Sequence, residues 1–243
     1  MNIISKAIIS IRSRGFWETM KVFLKDYRYY LKRLIYGNKI DSYQKDSFDD
    51  SNGVETSSMV EIDDLGVKSN KWIYSSIYQA TSIEIFNNIF QAIDSLSLCF
   101  SNFTFIDVGA GKGRGLMLAS KYQFKNIIGI EFSPILAEIG RDNINKYMIN
   151  NDLTLHIEVV LIDATEYILP KEQLFIFLFN PFKKPVMKKF VSNLVHSYNE
   201  SPRRMIIAYQ NPVIADAFEK IPFLNCIYHC NDFLIYDTEY SGL

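Results

Sequence analysis

A chain of 243 residues, 48% hydrophobic and 14% aromatic, is long enough to bury the core of one α/β domain with an accessory segment, which excludes global disorder. Its net charge of −1 and pI near 6.3 exclude a nucleic-acid binder that works through bulk positive charge. Three cysteines, Cys99, Cys226 and Cys230, follow no disulfide-framework spacing and suit a reducing compartment.

The charge is unevenly placed: residues 1–40 hold nine Lys/Arg against two acids, and residues 41–64 hold one Lys against eight acids. The first apolar run, Ile3 to Ile11, is broken by Lys6 and followed by Arg12 and Arg14. It is too short to span a bilayer and lacks a small-residue cleavage site, so a cytoplasmic protein is expected. From Phe16 to Tyr36 apolar and aromatic residues recur at helical spacing, with Lys21, Lys25, Arg28, Lys32 and Arg33 between them. Two readings fit this basic amphipathic helix over 1–40: packing on its own domain with the basic side chains snorkelling, or peripheral contact with an anionic membrane or a partner protein through residues 1–36. Residues 41–70, rich in Asp, Ser, Asn and Gly, read as an acidic linker or a lid.

From residue 71 onward the pattern becomes regular. Ile83, Phe86, Ile89, Phe90, Ile93 and Leu96 trace the apolar stripe of a helix. Apolar runs at 103–108, 126–131, 157–162, 174–179 and 205–209 then alternate with helical segments or loops, the signature of a parallel sheet. Ser133-Pro134 offers an N-cap with proline in the first turn, and Asn180-Pro181 and Asn211-Pro212 end two strands. Runs at 223–229 and 233–238 have no room for a helix between them and predict an antiparallel hairpin.

The most informative run is Phe103 to Gly115, where a buried strand breaks into Gly109, Gly111 and Gly113 before a helix. Such a loop exposes backbone N–H groups where a ligand can come close. The next strand ends on Glu131, so the order is that of a mononucleotide-binding half with a carboxylate placed for ribose hydroxyls. The strict dinucleotide fingerprint fails at Arg114, and no phosphate-loop motif of nucleoside triphosphatases occurs, so a pyrophosphate-free cofactor is expected. Lys112 and Arg114 face solvent, pair with a carboxylate, or hold the preceding acidic segment. Cys226, His229 and Cys230 lack the paired spacing of a zinc site, and His156 and His196 have no nucleophile beside them, so no metal is expected.

Asp107-Val-Gly-Ala-Gly-Lys-Gly113, Glu131, Asp163, Asn180-Pro-Phe182 and the closing hairpin together resemble class I S-adenosylmethionine-dependent methyltransferases, over a region from about Tyr74 to the C-terminus. Gly-Val-Glu-Thr56, Tyr78-Gln-Ala-Thr81, Gly-Lys-Gly-Arg114, Gly-Ile-Glu-Phe-Ser-Pro134 and Phe-Asn-Pro-Phe182 look like a bacterial group of such enzymes with some likeness to the Dot1 type of lysine methyltransferase. The resemblance implies a Rossmann-like doubly wound α/β sheet of seven strands, the last antiparallel, behind an N-terminal helical extension, with the cofactor domain at 71–243. It implies S-adenosyl-L-methionine as cofactor, the loop Gly109 to Gly113 beside the methionine part, Glu131 on the ribose and Asp163 on the adenine amino group. It also implies that Asp107 anchors the loop or the cofactor ammonium and that Tyr78 closes over the methionine end. Asn180 either touches the methyl acceptor or shapes the turn, and Phe182 forms an apolar wall. The motif has one proline where related N-methyltransferases have two, which puts a base or amide acceptor in question. The acceptor readings are a protein amine, a small molecule or a glycan precursor, with nucleic acid disfavoured by the charge; a cofactor-binding regulatory module without turnover is the reading from another class.

Overall fold

A computed structural model describes residues 46–58 and 78–239; the basic amphipathic segment 16–36 lies outside the described residues. Seven strands form one sheet: β1 (Phe103–Val108), β2 (Asn126–Glu131), β3 (Ile157–Leu161), β4 (Gln173–Phe179), β5 (Met205–Gln210), β6 (Asn225–His229) and β7 (Phe233–Asp237). Their order is β3-β2-β1-β4-β5-β7-β6. Strands β1 to β5 pair in parallel, and β7 pairs antiparallel with both β5 and β6. The last strand is therefore antiparallel and inserted between β5 and β6, as the hairpin in the sequence required.

The central strands read as continuous apolar runs because both faces are covered. All six residues of β1 and of β5 are buried, whereas the edge strand β6 is largely exposed. On one face Phe105, Phe175 and Phe177 meet Phe86 and Phe90 of α2 (Ile83–Ala92), together with α3 (Arg114–Ala119) and α4 (Pro134–Asn150). On the other face Ile106, Ile176, Leu178 and Ile207 pack against Met187, Phe190 and Leu194 of α5 (Lys184–Glu200). Aromatic rings bind the first layer, with Phe86 to Phe177 at 5.3 Å and Phe90 stacked on Phe175 at 5.1 Å between centroids.

Because the chain steps outward from β1 to β3 and then returns to place β4 on the other side of β1, the carboxyl ends of β1 and β4 flank a topological switch point. Local chemistry sets the loops there. Ser133 caps α4 by accepting from the Leu136 N–H at 3.2 Å, with Pro134 in the first turn. Asn180 and Asn211 end β4 and β5 in left-handed conformations, φ 38° and 49°.

The acidic stretch departs from the linker expectation. Residues Ser47–Asn52 form a short helix, α1, whose N-cap Asp46 accepts from the Asp49 N–H at 3.0 Å and which ends at Gly53 with φ 65°. Six residues cannot hold a helix alone in water, so periodicity gives no warning of it. Tertiary contacts hold it: Phe48 stacks on Tyr147 of α4 at 6.2 Å and lies under the Arg114 guanidinium at 5.0 Å.

Candidate functional site

A cleft opens at the carboxyl ends of β1, β2 and β4. The glycine loop forms its first wall. Gly109 and Ala110 both donate from backbone N–H to the Ile130 carbonyl, at 2.8 and 3.0 Å, tying the loop to β2. Gly111 has φ 54°, and a Cβ there would sit 2.4 Å from the Tyr78 ring. No other residue type fits beneath that ring.

Glu131 forms the second wall and locks the loop. Its carboxylate accepts from the Gly111 N–H and the Ser133 N–H, each at 2.8 Å, one on each oxygen. Phe132 and Leu136 continue this wall, while Tyr78, Gln79 and Thr81 form the side that precedes α2. Phe179, Pro181 and Phe182 close the β4 side. The cleft encloses about 650 Å³ between its walls, solvent-open space included, but its interior is a cavity of about 70 Å³. The Tyr78 ring lies against the Gly111 backbone at the edge of this space.

The electrostatics are dominated by two buried acids. Asp107 and Glu131 are each 3% exposed. Burial, and then the neighbouring Glu131 charge, push the Asp107 carboxyl up to about 8. Burial also raises Glu131, against backbone donors from Ser133, Gly111 and Phe132 that favour its charged form. Arg114 reaches the cleft but is committed elsewhere, donating to Asp46 at 2.5 Å, to Asp49 at 3.0 Å and to Thr56 Oγ1 at 2.5 Å.

Of the residues singled out by sequence, Tyr78, Asp107, Gly109, Gly111, Glu131 and Phe182 line this one cleft. Gly113 does not. Its left-handed φ of 87° starts α3, and it faces Ile144 of α4. Asp163 is outside the cleft wall, where its Oδ1 accepts from the N–H and hydroxyl of Thr165 at 2.9 and 2.8 Å and shapes the turn after β3. Asn180 also stands behind the wall, with its Oδ1 accepting from the Tyr209 hydroxyl at 3.4 Å. Sequence reasoning missed Phe132, Leu136, Thr81 and Phe179 as lining residues. Phe132 and Leu136 had a signal, since the first turn after an acid-ended strand meets the same ligand as that acid.

Lys112 and Arg114 resolve in favour of the acidic segment. The Lys112 ammonium, 1% exposed, donates to both Glu55 oxygens and to the Ser58 carbonyl, each at 2.9 Å. Asp49, fully buried, accepts from the N–H and hydroxyl of Thr56 at 2.7 and 2.6 Å and from those of Ser57 at 2.7 Å each. Asn143 of α4 donates to the Glu55 and Lys112 carbonyls, at 2.8 and 3.1 Å, and accepts from the Glu55 N–H at 2.9 Å.

No protein-family model and no curated protein matches the sequence. Solved structures similar in shape include an RNA methyltransferase from Salinibacter ruber in complex with S-adenosyl-L-homocysteine, 15% identical over 65% of this chain and 90% of that one, TM-score 0.44. The ribosomal protein L11 methylase from Lactobacillus delbrueckii subsp. bulgaricus is 14% identical over 61% and 74%, TM-score 0.43. The magnesium protoporphyrin IX methyltransferase from Synechocystis with bound S-adenosylmethionine is 11% identical over 64% and 77%, TM-score 0.40. Similarity this low assigns neither a reaction nor a ligand to this chain. Among the described residues no helix is long and apolar enough to cross a membrane.

Proposed function

We propose that the chain is an S-adenosyl-L-methionine-dependent methyltransferase acting on a protein amine. The observation that carries this reading is the pairing of a glycine loop with two buried carboxylates at the switch point of a sheet whose last strand is inserted antiparallel. Among the described residues no donor reaches the Asp107 carboxyl, and an acid so buried is stabilised by a cationic ligand group such as an ammonium. Gly111 lets the Tyr78 ring lie against its backbone at the cleft edge, and Glu131 accepts hydrogen bonds, as ribose hydroxyls require. These residues fit the cofactor chemically. Glu131 would hold the ribose hydroxyls and Asp107 the ammonium of the cofactor.

The bound cofactor supplies an electrophilic methyl group. The chain's part is to exclude water and hold a neutral amine in line. Phe179, Pro181 and Phe182 present an apolar wall at the tip of β4. Asn180, left-handed and accepting from the Tyr209 hydroxyl, is assigned to the amine in this reading. The Asn-Pro-Phe sequence and the Dot1-like motifs favour a protein amine over a small molecule.

Glu131→Ala is expected to weaken S-adenosylhomocysteine binding by about 1–3 kcal/mol, roughly 5- to 150-fold, by calorimetry; unchanged affinity removes the ribose assignment. For Asn180→Ala, transfer of tritium from labelled cofactor into fractionated lysate protein is expected to slow by about tenfold with cofactor affinity nearly constant. Equal turnover would reduce Asn180 to a turn-former. The same assay decides the acceptor, because label in the small-molecule or nucleic-acid fraction alone excludes a protein amine.

A further inference from the structure

Segment 46–58 does not line the cleft, yet it holds Lys112 and Arg114 of the glycine loop and Tyr78 of the wall ahead of α2. Glu55 holds Lys112, and Asp46, Asp49 and Thr56 hold Arg114, one residue to either side of Gly113. The Thr56 carbonyl accepts from the Tyr78 hydroxyl at 2.6 Å, and the Lys112 ammonium lies 5.3 Å from the Tyr78 ring centroid. Asn143 then fastens the Glu55 and Lys112 backbones to α4. Two consequences follow. Lys112 and Arg114 are both buried, and a buried cation is tolerated only with close countercharges. Left unpaired, the same two cations would oppose the cationic end of a ligand held by Asp107, so pairing them keeps the field of the cleft negative.

We infer that Asp49, Glu55 and Thr56 are positioning residues for the cofactor site, so that docking of segment 46–58 and occupation of the cleft favour one another. This rests on the cofactor reading proposed above. The three residues touch no ligand. They act through Lys112 and Arg114 on the loop that carries the Gly111 N–H, and through Thr56 on the Tyr78 ring that borders the cleft. Coupling of this kind is reciprocal: whatever loosens the segment weakens the ligand, and the ligand tightens the segment.

The full-length chain is titrated with S-adenosylhomocysteine well below its melting temperature, as wild type, Glu55→Gln and Glu55→Asp. Glu55 is chosen because its side chain is 42% exposed, so its loss leaves no sealed void. Affinity is expected to fall by roughly tenfold in Glu55→Gln and to recover largely in Glu55→Asp, which restores the charge opposite Lys112. In the wild type the ligand is expected to slow hydrogen exchange at the Thr56 and Ser57 amides, both bonded to Asp49, more than at the α5 amides on the far face of the sheet. Equal affinity in wild type and Glu55→Gln, or no selective slowing at Thr56 and Ser57, overturns the inference while the cofactor reading stands. A wild-type chain that does not bind S-adenosylhomocysteine overturns both.

Discussion

Asp49→Ala is expected to cost the chain about 3–5 kcal/mol, the range for removing one partner of a buried ion pair. Asp49 has no exposed surface and collects four donors from Thr56 and Ser57 besides the Arg114 guanidinium. Alanine leaves those donors buried without acceptors and Arg114 with only the half-exposed Asp46 as countercharge. At about 2–4 °C per kcal/mol for a chain of this size, the melting temperature should drop by about 6–20 °C. Asn would not rescue it, since its amide nitrogen would face N–H donors. The acid itself predicts a pH dependence. Burial alone would raise the Asp49 pKa, but the hydrogen bonds from Thr56 and Ser57 outweigh it, and the net shift is downward. A carboxylate whose pKa is lower folded than unfolded stabilises the fold at neutral pH and loses that contribution as the pH falls below about 4. Thermal melts of wild type and Asp49→Ala at pH 7 and pH 4 check both points. A variant that melts within about 2 °C of wild type at pH 7 would mean that the segment is not part of the fold.

Such a segment shows how far the chain could be read without coordinates. The central strands were legible because they are apolar runs closed by glycine, Asn-Pro or a charged turn, and the hairpin because only the turn-like Cys230-Asn231-Asp232 separates its strands, with no room for a helix. The glycine loop and Glu131 were legible because the chemistry of the site follows the chain: a strand, a tight loop, a helix and a strand-end acid are consecutive. The latch was not. Glu55 and Lys112 are 57 positions apart, Asp49 and Arg114 are 65 apart, and Glu55 and Asn143 are 88 apart, so nothing local links them. The one cue was imbalance, an acid-rich stretch ahead of a glycine loop carrying two cations. Asp163, expected on the adenine amino group, and Asn180, expected at the acceptor or in the turn, are not among the residues that line the cleft, for a different reason. The Asp163 side chain bonds within its own turn and that of Asn180 accepts from Tyr209 on β5, and position in the chain cannot distinguish such contacts from pointing at a ligand.

S-adenosylhomocysteine should bind more tightly as the pH rises, by up to about tenfold per unit below pH 8 and levelling off above it. Asp107 is raised to about 8 by burial and by Glu131, so at pH 6 to 7 the free protein holds it mostly protonated. An ammonium group needs the ionised carboxylate, and binding must therefore expel a proton in that range. Among the described residues, the other charged or titratable groups around it are Glu131 on β2, Tyr78 ahead of α2 and Arg114 at the start of α3. Tyr78 is pushed far above neutrality by burial and Arg114 stays paired, which leaves the two carboxyls to account for the proton. The same shift acts on the fold in the opposite sense to Asp49. A carboxyl that is protonated when folded but ionised when unfolded stabilises most at low pH and loses that contribution as the pH climbs from about 4 toward 8. Ligand binding should restore it, so the melting-temperature gain on adding S-adenosylhomocysteine should be larger at pH 8 than at pH 6. Calorimetry at pH 6, 7 and 8, in buffers of different ionisation enthalpy, counts the protons directly. Asp107→Asn should bind more weakly at pH 8 and lose most of the slope. A slope that survives in Asp107→Asn would assign the proton to Glu131, and no proton release at all in the wild type would mean that neither acid meets a cation in this cleft.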